Sequence, residues 1–190
     1  MIIYLHGFNS SPDSHKARFM TAWMERHGLG YNLICPALPH WPNQAIGVIE
    51  NELGRHAAER LTLIGSSLGA FYATWLAEKH DLRAIVINPA ITPHTGLRTY
   101  LGEQKNLYTE QSYDFTEEHL VQLEGLYAPR ITPERYLVLV ETGDEVIDYR
   151  EALERYRGCR QVVVPGGNHT LQSFPEHIPL ILEFCGLKPA

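Results

Sequence analysis

Short apolar runs alternate along the whole chain with segments whose apolar residues recur at helical spacing. Ile2 to Leu5 is the first run and stops at His6-Gly7, which predicts a buried strand ending in a loop. Ser11-Pro12-Asp13 offers a cap, a proline at the first helical position and an early acid, and Met20, Trp23, Met24 and His27 then share one helical face before Gly28. Tyr31 to Cys35 predicts a second strand. The prolines between Pro36 and Pro42 forbid both helix and central strand, so an ordered loop follows. Asn43 is a candidate cap for a helix striped by Ile46, Ile49, Leu53 and Ala57, and Leu61 to Ile64 reads as the third strand. The helix after Ser67 carries Phe71, Tyr72, Trp75 and Leu76 over a wide arc, as expected where a helix packs deeply on a sheet.

Ala84 to Ile87 predicts a fourth strand, after which Asn88-Pro89-Ala90 turns the chain. The pattern then loses its regularity from Ile91 to Arg130, where one short helix is expected over Thr116 to Leu126 and no strand is predicted. A segment of that length inside a compact domain suggests a lid or a binding loop. Regularity returns with a fifth strand at Tyr136 to Glu141, a helix from Tyr149 to Tyr156, a sixth strand at Gln161 to Val164 and a last helix ending near Cys185-Gly186. Strands that alternate with helices imply a parallel sheet covered on both faces, with ligands bound beyond the carboxyl ends of the strands. The loops at Ser67, His6 to Asn9, Pro36, Asn88, Asp144 and His169 should therefore meet on one rim.

Gly65-Ser66-Ser67-Leu68-Gly69 stands where the third strand turns into a helix. Gly-x-Ser-x-Gly in that setting is a nucleophile elbow, which exposes a serine on a strained turn. A serine needs a base to take its proton, and the base needs an acid to hold its tautomer. Asp144 follows the fifth strand and His169 the sixth, giving the order Ser, Asp, His. Glu145 and Asp148 lie beside Asp144, but Asp148 to Glu151 has capping-box spacing, so Asp144 is the preferred acid. His27, His56, His80 and His119 fall on or at the ends of helices and are expected at the surface, while His6 is expected to serve its own turn. Backbone N–H groups of Leu68 and of Phe8, with Asn9 as runner-up, are the candidate oxyanion donors. Asn9, Trp41, Asn88 and Tyr100 are candidates to line a substrate pocket.

The length of 190 residues suits one domain, with residues 91–130 as its insertion. A net charge of -6 opposes a nucleic-acid surface, and no apolar stretch is long enough for a signal peptide or a membrane span, so a cytoplasmic location is expected. Cys35, Cys159 and Cys185 lie in or beside apolar segments, as reduced buried thiols do. No His-Glu-x-x-His or Cys-x-x-Cys spacing and no dinucleotide or P-loop pattern is present, so no cofactor and no metal is expected.

With these motifs in place, the chain resembles the α/β-hydrolases, and more narrowly the small YqiA-like bacterial esterases, over nearly its whole length. The likeness rests on Ile2 to Ser11, the elbow, Asn88-Pro89-Ala90, Thr142 to Val146 and Gly166-Gly167-Asn168-His169. It implies a six-stranded, mainly parallel sheet in the order 2-1-3-4-5-6 with a short lid, and Ser67, Asp144 and His169 as nucleophile, acid and base. The expected function is hydrolysis of a small, short-acyl carboxylic ester through an acyl-enzyme, the partner being a small-molecule ester. Its activity should rise as an ordinary imidazole loses its proton, around pH 6 to 7. A thioesterase or amidase would use the same machinery, and a binding protein on a hydrolase scaffold is a rival of another class. The oligomeric state is left open.

Overall fold

A computed structural model describes residues 1–188. The chain opens with strand β1 (Ile2–Leu5), helix α1 (His15–Arg26), strand β2 (Leu33–Ile34) and helix α2 (Pro42–Arg55). Strand β3 (Thr62–Ser66), helix α3 (Leu68–His80) and strand β4 (Arg83–Ile87) form its centre. Between β4 and the next long strand lie helix α4 (Pro93–Gly96), strands β5 (Gly102–Lys105) and β6 (Ser112–Phe115), and helix α5 (Glu117–Gly125). Strand β7 (Tyr136–Glu141), helix α6 (Tyr149–Arg155), strand β8 (Arg160–Val164) and helix α7 (Ile178–Cys185) complete it.

Six strands pair in parallel in the order β2-β1-β3-β4-β7-β8, the order that the family resemblance implies once β5 and β6 are set aside. Alternate side chains of each strand feed opposite faces, which is why the strands read as continuous apolar runs. Ile3, Leu5, Leu63 and Val86 pack with α2, α3 and α5, whereas Ile2, Tyr4, Ile64 and Ile85 pack with α1 and α7. Helix α3 is apolar almost all round because α5 and Phe115 cover what the sheet leaves open.

Several local expectations are corrected. Ser11 to Asp13 forms a turn in which the Asp13 N–H donates to the Ser11 hydroxyl, and α1 starts later, with Ser14 at its cap. Residues Gly30–Asn32 wind into a 3-10 turn, leaving β2 only two residues at the sheet edge. Helix α2 begins at Pro42 rather than after Asn43, because proline loses nothing at a position whose N–H has no helical partner. Residues 91–130 do contain strands: β5 and β6 form an antiparallel hairpin from Gly102 to Phe115. Their sequences are mostly polar and exposed, so no alternation marked them.

Candidate active site

The elbow is built by close approach. A side chain on Gly65 would overlap the backbone of Gly69 and Ala70, and one on Gly69 would overlap the carbonyl of Leu5. Strand β3, helix α3 and the end of β1 can therefore meet only through glycine. Ser67 sits at the vertex with φ 55° and ψ -119°, a conformation that a side-chain-bearing residue holds only when its surroundings enforce it. Its N–H donates to the Ile87 carbonyl at 3.0 Å, and its own carbonyl accepts from Ala70 and Ala90, which pins the vertex to the end of β4.

The rim brings the three predicted residues together. His169 Nε2 lies 3.1 Å from Ser67 Oγ, and His169 Nδ1 lies 2.8 Å from Asp144 Oδ2. Asp144 also accepts the backbone N–H groups of Val146 and Ile147, each at 2.9 Å, through Oδ1. Burial would raise the pKa of this carboxyl, but the hydrogen bonds from His169, Ile147 and Val146 outweigh it and hold the group below the usual range. An ionised Asp144 fixes the imidazole with its proton on Nδ1 and its lone pair on Nε2, facing the serine. Glu145 instead accepts the backbone N–H of His169, and Asp148 caps α6 through the Arg150 N–H, as its spacing predicts.

Two side chains hold the His169 loop. Glu141, the buried last residue of β7, accepts the N–H groups of Asn168, Gln172 and Ser173 and the Ser173 hydroxyl. Burial opposes its charge, yet these four donors keep its pKa below the ordinary value. Asn88 is the second. Its amide donates to the carbonyls of Asn168 and His169 and accepts the Glu141 N–H. Asn88 is therefore spent on the scaffold and buried, which corrects its assignment to the substrate pocket. Sequence reasoning missed Glu141; the one signal was a carboxylate closing an otherwise apolar strand.

The loop after β1 passes beside the nucleophile, since a side chain on Gly7 would lie 3.3 Å from Ser67 Cβ. His6 is buried and structural, as predicted: its Nδ1 donates to the Gly7 carbonyl and its Nε2 accepts the Leu38 N–H, both at 3.1 Å. Because a trans peptide sends its C=O and N–H in opposite directions, His6 also sets where the Phe8 N–H points. Asn9 is occupied by the hairpin: its amide donates to Gln104 at 3.1 Å and accepts from the Tyr113 hydroxyl at 2.6 Å, and its carbonyl accepts the Leu107 N–H.

A cleft of about 860 Å³ opens from Ser67 and His169. Phe8, Leu68, Ile91, Leu97, Tyr100 and Ile147 supply its apolar wall, and Tyr100 meets Phe8 edge to face. Asn9 and Tyr100 thus line the cleft, while Trp41 does not: it stacks on His119 with ring centroids 3.7 Å apart. His119 is fully buried rather than at the surface, because its ring fills the space between Trp41, His40 and Phe115. Cys185 is buried and Cys35 and Cys159 are half-buried; burial pushes Cys159 up to about 11 and the other two thiols to about 12. Among the described residues, no three His, Cys, Asp or Glu side chains converge in a way that could hold a metal ion, and no helix is long and apolar enough to cross a membrane.

The parallel sheet, its strand order and the strained turn after β3 define an α/β-hydrolase fold. Solved structures share it: α/β hydrolase domain-containing protein 10 from mouse superimposes with a TM-score of 0.71 at 16% identity, covering 97% of this chain and 89% of the other. Est1E from Butyrivibrio proteoclasticus, in a structure with ferulic acid bound, gives 0.65 at 15% identity, covering 97% and 85%. Within that class the chain belongs to UPF0227, an uncharacterised protein family whose model matches residues 1–186. A UPF0227 protein of Citrobacter koseri is 24% identical over 191 residues, covering 97% of this chain and 98% of its own.

Proposed function

We propose that this protein is a serine hydrolase of carboxylic esters. The unbroken hydrogen-bonded line from Ser67 through His169 to Asp144 carries the proposal. In this reading His169 Nε2 takes the Ser67 proton as Oγ attacks the ester carbonyl. The resulting oxyanion accepts hydrogen bonds from the backbone N–H groups of Phe8 and Leu68, two residues that line the cleft with Ser67. Collapse breaks the bond to the leaving oxygen, which takes the proton from His169 and departs as the alcohol. Water then gives a proton to His169, attacks the acyl-enzyme, and frees the acid and Ser67.

The fold likeness to a protein described as an α/β hydrolase, to Est1E with ferulic acid bound and to a monoacylglycerol lipase of Paleococcus ferrophilus supports an acyl substrate. The cleft lies within the roughly 300–1,000 Å³ that small-molecule sites occupy, which leaves room for an ester substrate. The first part of the 91–130 insertion, from Ile91 to Leu107, forms most of one wall and serves as the lid. The test is labelling by a fluorophosphonate probe, followed by turnover of esters, thioesters and amides of matched acyl length. Wild type should label and hydrolyse esters, and Ser67→Ala should do neither. Equal labelling of both proteins sinks the reading.

A further inference from the structure

Ser67 and His169 border a second, smaller lobe of about 240 Å³ on the side of α1, and Phe8 and Leu107 are shared between it and the main cleft. The two lobes differ in charge. Asp148 and Glu151 stand in the wall of the large one beside Lys105, whereas the small one is walled by Lys16, His15, Ser14, Ser10 and Thr170 and includes no carboxylate. Lys16 Nζ donates one proton to the Thr170 carbonyl at 2.8 Å, and among the described residues it forms no ion pair. Burial lowers its pKa to about 8, partly offset by the field of Glu141 and Asp144, so the ammonium is still charged at neutral pH. The helix dipole at the first turn of α1, where His15 and Lys16 lie, adds to the same sign of potential.

We propose that the small lobe is the leaving-group subsite and that Lys16 selects esters whose alcohol portion carries an anionic group, a carboxylate or a phosphate. This rests on the ester-hydrolase reading above. A substrate that lies across Ser67 must place its acyl group on one side and its alcohol on the other. The apolar, larger lobe suits the acyl chain. An anion placed there would meet Asp148 and Glu151 and a Lys105 already paired with Glu110, whereas in the small lobe it meets the two remaining ammonium protons of Lys16. The charge pattern thereby orients the substrate as well as selecting it.

The acetate esters of 4-hydroxybenzoate and of methyl 4-hydroxybenzoate differ by one charge on the leaving group and test this directly. The readout is the ratio of their kcat/KM values in wild type, Lys16→Met and Lys16→Arg. Loss of a charge-assisted hydrogen bond predicts that Lys16→Met lowers the anionic-to-neutral ratio about tenfold, while Lys16→Arg keeps most of it. Rising salt should erode the wild-type ratio and leave that of Lys16→Met flat. Competitive inhibition by 4-hydroxybenzoate or by phenyl phosphate, weakened in Lys16→Met, identifies which anion the lobe takes. A ratio that Lys16→Met leaves unchanged, or that Lys16→Arg lowers just as far, overturns the subsite while leaving the hydrolase standing. Failure of wild type to cleave either ester or to take a fluorophosphonate overturns the hydrolase, and the subsite with it.

Discussion

Glu141 accepts the backbone N–H of Asn168 at 2.7 Å, one residue before the imidazole of His169. It belongs to β7 and is locked in the sheet, so its carboxylate ties the loop that carries His169 to the core. Gly167 makes room for it: φ there is 70°, and any side chain would overlap the Glu141 carboxylate. Replacement by glutamine turns one acceptor into a donor facing backbone N–H groups. Glu141→Gln is expected to cost about 1–3 kcal/mol for the unmet buried donors, a fall of several degrees in Tm. It should also lower kcat more than it raises KM, because the base moves while the cleft does not. Calorimetry and steady-state kinetics on one ester check both parts.

Asp144→Asn isolates the electrostatic role of the acid. The backbone N–H groups of Val146 and Ile147 select the carbonyl oxygen of the new amide, which turns its NH₂ toward His169 Nδ1. His169 must then accept at Nδ1 and carry its proton on Nε2, pointing at Ser67 with no lone pair to offer. The expected loss in kcat is about 10³–10⁴-fold with little change in fold or KM. A loss under tenfold would point to a different acid.

The sheet and the meeting of Ser67, His169 and Asp144 were legible because both obey short-range rules. Short runs such as Leu61 to Ile64, rich in apolar residues, too brief for a helix and closed by glycine, read as buried strands, and a nucleophile elbow has a fixed spacing. What was hidden depends on partners far along the chain. The β5–β6 hairpin owes its place to Asn9, which binds Gln104 and Tyr113 roughly a hundred residues away. His119 looks like a surface residue of α5 until Trp41 and His40 arrive from the start of α2. Asn88 was noticed as a rim residue, but only the positions of Glu141 and His169 reveal that it faces inward.

The His40–His119 pair predicts acid lability. The Thr116 N–H donates to His119 Nδ1, so His119 carries its proton on Nε2 and donates it to His40 Nδ1, 3.0 Å away. A second proton on either ring faces another donor. Burial holds both pKa values below the ordinary 6.5, for His119 with help from His40 and against a smaller opposing pull from Glu118 and Asp114. The unfolded chain therefore binds protons that the folded chain refuses, and stability falls as pH drops below 6.5. Glu141 and Asp144 are also shifted downward, in their case by donors that favour the charged form, so their contribution is full above the ordinary values of 4.5 and 3.8 and is lost as pH falls below them. Urea midpoints should fall in two stages, one below about pH 6.5 and one below about pH 4.5. Buried His6, whose pKa is also lowered, adds to the first stage, so His40→Gln should shrink that stage without abolishing it and leave the second unchanged.

His6 gives the sharpest test of the oxyanion assignment because both of its ring nitrogens are spent on backbone groups and neither takes part in the proposed proton transfers. Its ring holds the Gly7 carbonyl and the Leu38 N–H, so the Gly7–Phe8 peptide is oriented before substrate arrives. His6→Ala releases that peptide and leaves the Leu38 N–H without its acceptor. If the Phe8 N–H stabilises the oxyanion, kcat should fall about 10- to 100-fold, part of the cost of removing such a donor outright. KM should hardly change, since the ground-state carbonyl gains little from the same N–H. A general loosening of the fold would instead lower Tm and the active fraction without separating the two constants. Active-site titration with a fluorophosphonate counts that fraction, so kcat per titrated site distinguishes the outcomes. A rise in KM at constant kcat would move the second oxyanion donor away from Phe8.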